Sequence, residues 1–82
     1  MSGVPAYSEM VAVRAELDAA IARVAAVYAA LPDEIQRRVE LRADEIERRI
    51  EYALDSGDAV AARQGIRDWL AHHVRLFREA RG

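Results

Sequence analysis

Two adjacent histidines, His72 and His73, are the side chains of this sequence best suited to acid–base or metal chemistry. Imidazole titrates near neutral pH and binds zinc, but a zinc site needs three or four ligands. Neighbouring residues on a helix point about 100° apart, so this pair is poorly arranged to hold one ion. The chain has no cysteine, and no HExxH or ExxH spacing accompanies the histidines. We therefore expect no metal site and no cofactor.

Each histidine has a structural interpretation. His73 follows Trp69 by one helical turn, which puts it on an apolar face. We interpret it as a core histidine, hydrogen-bonded to Tyr28 or to a backbone carbonyl. If it is buried neutral, stability or assembly depends on pH. His72 lies four residues after Asp68, and we expect the two to pair on the surface.

Arginine supplies all twelve basic residues of the chain, and its balance with the acidic residues changes along the sequence. Residues 58–82 carry five arginines against three acids, whereas residues 33–57 carry five against eight. We interpret the late arginines as a solvated face that complements the acidic segment. Contact with nucleic-acid phosphates or with an acidic partner protein is the alternative. The net charge of −2 and the lack of interleaved aromatic residues do not favour nucleic acid. The candidate basic stripe is Arg63, Arg67, Arg75, Arg78 and Arg81.

An arginine also occurs early, in the run Val13-Arg14-Ala15-Glu16-Leu17-Asp18. This run resembles the start of the all-helical chorismate mutases, in which a long first helix carries a catalytic arginine. The resemblance implies a small all-helical enzyme, and it requires Arg14 or Arg23 to line a closed polar pocket. The chain departs from that pattern because it has no lysine and because Pro32 shortens the first helix. We expect a non-enzymatic protein and assign no catalytic residue.

Three long helices, at about 8–31, 33–55 and 58–80, are predicted to position these residues. The connections between them are short, so we predict one all-α domain over residues 1–82, an antiparallel three-helix bundle. Residues 1–7 are predicted to be a floppy tail.

Turn and cap residues set these limits. Ser8 is the predicted N-cap of the first helix, and Pro32 ends it because the residue before proline avoids the helical region. Gly57 suits the left-handed residue that closes the second helix, and Asp58 suits the N-cap of the third.

The first helix is apolar nearly all round, so we expect the rest of the chain to be arranged around it. Its core stripe is predicted to be Met10, Val13, Leu17, Ile21, Val24, Tyr28 and Leu31. The opposite side is alanine-rich, and we expect it to bind a second copy of the chain or another protein. Its candidate partner-binding residues are Ala12, Ala15, Ala19, Ala22 and Ala26.

The other two helices have narrower apolar faces. On the second helix the core seam is predicted to be Ile35, Val39, Ala43, Ile46, Ile50, Ala53 and Leu54. Two apolar residues, Leu41 and Tyr52, share an azimuth nearly opposite that seam, either as scattered surface residues or as a small partner contact. On the third helix the face is predicted to be Ala62, Ile66, Trp69, Leu70, Leu76, Phe77 and Ala80.

These patterns favour a small protein-interaction module over a catalyst. We expect a regulator, inhibitor or adaptor that binds another protein and forms a homodimer. A nucleic-acid-associated protein that uses the late arginines is the first alternative, and the small enzyme is the second. The arginine- and alanine-rich composition points to a GC-rich bacterium or its phage. The apolar stretch Met10–Leu31 carries four charges, which disfavours a membrane span, and the N-terminus does not resemble a signal peptide. We therefore expect a cytoplasmic protein.

Overall fold

A computed structural model describes residues 3–81 as three α-helices. They are α1 (Gly3–Ala29), α2 (Asp33–Asp55) and α3 (Ala59–Arg81). The helices lie side by side in an up-down-up bundle that measures 51 × 19 × 15 Å. The predicted all-α three-helix bundle is confirmed. No helix within the described residues is long and apolar enough to cross a membrane.

Helix α1 begins earlier than predicted. Its first residue is Gly3, so residues 3–7, which we expected to be a floppy tail, belong to the helix, and Ser8 is not its N-cap. Met1 and Ser2 lie outside the described residues. Pro5 does not prevent this start, because the N–H groups of a first helical turn have no intrahelical partner to lose.

A three-residue connection joins α1 to α2. The N–H groups of Ala30 and Leu31 bond to carbonyls three residues back, which tightens the end of α1. Pro32 is extended, with φ −60° and ψ 151°, and its carbonyl accepts the first bond of α2 from the N–H of Gln36. The Gln36 side chain donates to the carbonyl oxygen of Tyr28 at 3.0 Å. One residue of α2 therefore also caps the end of α1.

The connection between α2 and α3 is built as predicted. Gly57 has φ +74°, and the N–H groups of Gly57 and Asp58 bond to the carbonyls of Leu54 and Ala53. This is the Schellman arrangement that ends a helix. Asp58 then caps α3 by accepting a hydrogen bond from the N–H of Ala61 at 3.0 Å. Ser56-Gly57-Asp58 thus stops one helix and starts the next.

The central element of the bundle is α3, not α1 as we predicted. Eight residues of α3 are buried, against five of α2 and three of α1. Packing joins α3 to both neighbours, whereas α1 and α2 barely touch each other. On α1 the residues that are buried are Val13, Leu17 and Ala20, and Ile21 is exposed, contrary to prediction. Most of the seam of α2 is buried, but Ala80 of α3 is exposed.

Gly65 of α3 packs directly against the side chain of Ile50 of α2. A Cβ atom added at Gly65 would lie 2.6 Å from Cγ1 of Ile50, which is fully buried. Glycine at this position lets the backbone of α3 pack directly against the Ile50 side chain. This contact keeps α2 and α3 close together, and α1 packs mainly against α3.

Candidate interaction surfaces

His73 lies in the core, as predicted. It is 4% exposed, and its Nδ1–H donates to the carbonyl oxygen of Trp69 at 2.7 Å. The ring stacks at a tilt on Trp69 and meets the edge of Phe77. Burial lowers the pKa of His73 below its usual value, although the Trp69 carbonyl opposes this change. His73 is therefore neutral at physiological pH.

The prediction for His72 is wrong. This residue is 8% exposed, and its Nε2–H donates to the carbonyl oxygen of Val39 at 3.0 Å. The other ring nitrogen, Nδ1, accepts a longer bond of 3.4 Å from Arg75. The expected partner, Asp68, bonds instead to Arg49 of α2. Because α3 is central, its buried face is wide enough to include both histidines. The part of the chain that the structure describes contains no cluster of three or more side chains able to hold a metal.

The candidate basic stripe divides into two parts. Arg63 contacts two carboxylates of α1, Glu16 at 3.0 Å and Glu9 at 3.3 Å. These contacts, chiefly the hydrogen bond to Glu16, raise the pKa of Arg63, so it stays charged. The Arg75 side chain donates a hydrogen bond to His72, and the Arg67 side chain donates one to Gln64.

The rest of the stripe is exposed. Among residues 3–81, neither Arg67, Arg78 nor Arg81 has an acidic partner within ion-pair distance. Arg78 and Arg81 border a shallow groove of about 460 Å³ between the ends of α1 and α3, whose apolar lining includes Val27 and Phe77.

The ion pairs between α2 and α3 join arginines of α2 to acids of α3, whereas we expected arginines of α3 to face acids of α2. Arg38 of α2 bonds to Glu79 of α3 at 3.1 Å, and Arg49 bonds to Asp68 at 3.3 Å. The arginines come from the acidic helix and the carboxylates from the basic one. The stripe on α3 is thus left without acids of α2 to neutralise it.

The alanine-rich side of α1 is exposed along the helix. We call this surface the α1 outer face; it spans about 100° of the helix and contains no charged residue. Asp18 lies at one edge and Arg23 at the other, and neither forms an ion pair with the described residues. All of its members are exposed: Val11, Ala12, Ala15, Ala19, Ala22, Ala26 and Ala29.

Leu41 and Tyr52 lie on the exposed side of α2, opposite its buried seam, as predicted. They are 81% and 76% exposed and lie about 16 Å apart along α2, since eleven residues separate them. Tyr52 borders a groove of about 540 Å³ between α2 and α3 that also includes Gly65, whereas Leu41 does not line it. Both remain exposed apolar residues on the side of α2 that faces away from the core.

A groove between α1 and α2 was not predicted. Because these helices barely touch, a space of about 270 Å³ remains between them, and Trp69 and His73 of α3 form its floor. The indole N–H of Trp69 donates to Glu47 at 2.9 Å, and the hydroxyl of Tyr28 donates to Glu40. We call this feature the α1–α2 groove. Its walls and floor come from three helices, so no pattern within one helix of the sequence predicts it.

Arg14 and Arg23, either of which the enzyme hypothesis places in a closed pocket, are both exposed. Arg14 faces Glu51 of α2 at 3.5 Å, and both side chains are more than half exposed. Comparison of the chain with protein-family models, with curated proteins and with solved structures gives no match.

Proposed function

We propose that this protein is a small protein-interaction module that works by covering a surface of another protein and that associates with a second copy of itself. The observation that carries the proposal is the α1 outer face. It runs most of the length of a helix of about 40 Å and offers only apolar side chains to a partner. Contiguous exposed apolar surface of this kind is typical of interaction sites. Alanine contributes little area per residue, but it lets two helices approach closely.

The spacing along the α1 outer face favours a helical partner. Ala12, Ala19 and Ala26 repeat every seven residues, and Ala15, Ala22 and Ala29 do the same three residues later. These are the a and d positions of a heptad, the ones that face a partner helix in a coiled coil. Asp18 then takes position g and Arg23 the following position e. In a parallel pair, g of one helix lies beside e of the other, five residues on.

A second copy of this chain therefore suits the face. In a parallel dimer Asp18 lies beside Arg23 of the partner subunit, and the two-fold axis repeats this pair on the other flank. In an antiparallel dimer g faces g and e faces e, so Asp18 and Arg23 do not meet. A parallel pairing of two α1 helices is the assembly that we propose.

Sedimentation equilibrium of two glutamate variants tests the role of the face. We expect Ala19→Glu/Ala26→Glu to remain helical by circular dichroism and to sediment as a monomer, because charges at position a oppose helix pairing. The control, Val60→Glu/Ala71→Glu, adds two glutamates to exposed positions of α3 and should associate like the parent chain. Unchanged association of the first variant excludes the α1 outer face as the interface.

Charge reversal tests the direction of pairing. Asp18→Arg and Arg23→Asp each place like charges on both flanks of a parallel dimer, so each should weaken association. The double variant restores opposite charges and should recover it. Single variants that weaken association without recovery in the double variant contradict the parallel arrangement.

A nucleic-acid-associated protein is the second candidate. It is favoured by Arg67, Arg78 and Arg81, which lie on an exposed side of α3 and have no acidic partner among residues 3–81. Their contact with phosphates would release counterions, so affinity would fall steeply with salt. A loss of about tenfold or more between low and moderate salt, abolished by changing Arg67, Arg75 and Arg78 to alanine, supports this candidate. If the protein binds neither DNA nor RNA at low salt, the nucleic-acid candidate is excluded.

A further inference from the structure

The α1–α2 groove has an apolar wall on each side and an aromatic floor. Ile21 and Val24 of α1 face Val39 and Ala43 of α2 across it, and Trp69 lies beneath them. Ile21 is 43% exposed even though its side chain is apolar, so part of this wall is left uncovered by the bundle. The groove is open along the two helices rather than closed at its ends. A volume of about 270 Å³ is at the lower limit for small-molecule pockets but sufficient for side chains of another helix.

Every ionised side chain that lines the groove is acidic. These residues are Glu40, Asp44 and Glu47, which project from successive turns of α2. Glu40 accepts a hydrogen bond from Tyr28 and Glu47 accepts one from Trp69, and each of these carboxylates keeps acceptor capacity. Asp44 makes no hydrogen bond or ion pair with the described residues. Carboxylates beside apolar walls concentrate a negative potential in the groove.

His73 adds a neutral acceptor to the floor. Its Nδ1–H is committed to the carbonyl of Trp69, so its other ring nitrogen, Nε2, carries a lone pair. Nε2 makes no hydrogen bond within residues 3–81, yet no fully enclosed side-chain nitrogen or oxygen in those residues lacks a partner. Nε2 therefore keeps some accessible surface, and His73, which is 4% exposed, lines the groove. The groove is thus lined by a largely buried imidazole whose Nε2 is an accessible acceptor without a donor among the described residues.

These groups together define what complements the groove. Three carboxylates and one imidazole nitrogen are all acceptors, and the surrounding walls are apolar. The matching ligand carries several N–H donors and a positive charge at the end of an apolar stem. An arginine side chain has this composition, because its guanidinium offers five donors in a planar fork and accepts none.

We propose that the α1–α2 groove receives an arginine side chain presented by an amphipathic helix of a partner protein. This inference rests on the proposed function, since it supplies the chemistry of one partner. The partner helix lies between α1 and α2 as a fourth helix of the bundle. Its apolar residues cover Ile21 and Val24, and its guanidinium lies between Asp44 and Nε2 of His73.

Binding of a synthetic peptide tests this proposal. The probe is a tryptophan-free amphipathic helix of leucine, alanine and glutamine with one central arginine on its apolar face, and the matched peptides carry glutamine or glutamate there. Trp69 is the single tryptophan of the chain and lies on the groove floor, so its emission reports occupancy. We expect saturable binding of the arginine peptide, confirmed by calorimetry. The glutamine and glutamate peptides should bind with an affinity lower by at least about tenfold.

A pair of matched variants locates the binding. Asp44→Asn removes an exposed acid from the groove and should weaken the arginine peptide about tenfold. Asp55→Asn removes the same charge from the same helix, about three turns further on and outside the groove, and should leave binding unchanged. Equal affinity for the arginine and glutamate peptides overturns the proposal, and so does unchanged binding in Asp44→Asn.

Two further outcomes exclude other occupants. If arginine methyl ester binds as tightly as the peptide, the groove is a small-molecule site and the helix proposal is wrong. If Trp69 emission changes with protein concentration alone and the peptide then fails to bind, a second copy fills the groove instead. The Ala19→Glu/Ala26→Glu variant separates this inference from the proposed function. It removes association through the α1 outer face but leaves the groove intact, so it should still bind the arginine peptide.

Discussion

At the centre of the α2–α3 pair a Cβ atom at Gly65 would collide with the side chain of Ile50, whereas α1 and α2 barely touch and leave a groove of about 270 Å³ whose floor is formed by α3. The α2–α3 hairpin also has a Schellman turn, an aspartate cap and two interhelical ion pairs. Helix α1 buries Val13, Leu17 and Ala20 and is otherwise largely exposed. The hairpin supplies most of the packing, and α1 supplies the surfaces that remain available for partners.

The strongest test of this difference is truncation at the centre of the hairpin. Ile50 is fully buried where it contacts Gly65 of α3. Ile50→Ala should therefore lower the free energy of unfolding by about 2–5 kcal/mol. Val60→Ala, at an exposed position of α3, should change it by less than about 0.5 kcal/mol. Urea denaturation followed by circular dichroism measures both. Similar effects of the two variants contradict the central role of the hairpin contact.

Adding one methyl group to the hairpin should be costly as well. Gly65→Ala places a Cβ atom 2.6 Å from Cγ1 of Ile50, and the overpacking of about 1–3 kcal/mol exceeds the gain in helix propensity of about 1 kcal/mol. The same substitution in an Ile50→Ala background removes the clash and should become stabilising. A thermodynamic cycle over the four proteins measures this coupling. Additive effects would show that the two residues do not limit each other.

The pH dependence of stability should come in part from His73. Burial lowers the pKa of His73 in the folded chain, so between the folded and unfolded values the unfolded chain binds more protons. Stability is therefore retained above about pH 6.5 and lost as the pH falls through the folded pKa. Denaturation from pH 7.5 to 5.5 should show a smaller slope for His73→Phe, by no more than about 1.4 kcal/mol per pH unit. Glu47 and His72, which also influence His73, remain in both proteins. Equal slopes would exclude this contribution.

Substitution of Arg63 should have the smallest effect on the stability of the whole bundle, and its effect should be confined to α1. Arg63→Met removes the contacts of α3 with Glu9 and Glu16, which are the ion pairs between α3 and α1 in the described chain. Hydrogen exchange should accelerate in the first half of α1 and remain unchanged in the hairpin. Arg38→Met, which breaks the ion pair to Glu79 instead, should leave α1 unaffected. Uniform acceleration in both variants would mean that the bundle opens as one unit.

The helices and their turns were predictable because their signals are local. Gly57 and Asp58 have the residue types that a Schellman turn and an N-cap require. The apolar residues of α2, spaced three or four apart, include all those that are buried in the structure. The choice of central helix was not predictable from hydrophobicity. The buried face of α3 contains Gly65, His72 and two alanines, which are small or polar and stand out less than large apolar residues. They are buried because two helices cover α3, and that is a property of the tertiary packing.

Parts of the candidate site were predictable for the same reason. The α1 outer face follows from a run of alanines on one helix. The α1–α2 groove combines Ile21, Asp44 and His73 from three helices, so no periodicity within one helix reveals it. The pairing of Arg63 with Glu9 and Glu16 likewise depends on which helix lies beside α3.

The turn at Ser56-Gly57-Asp58 also bears on the order in which the chain folds. It joins α2 and α3 through a very short loop, so the entropy lost in bringing them together is small. The contacts of Arg63 with α1 span 47 and 54 residues and require a much longer loop to close. Short-range contacts form faster than long-range ones. We therefore expect the hairpin to form first and α1 to dock last, with α1 the segment most exposed to capture by another chain during synthesis.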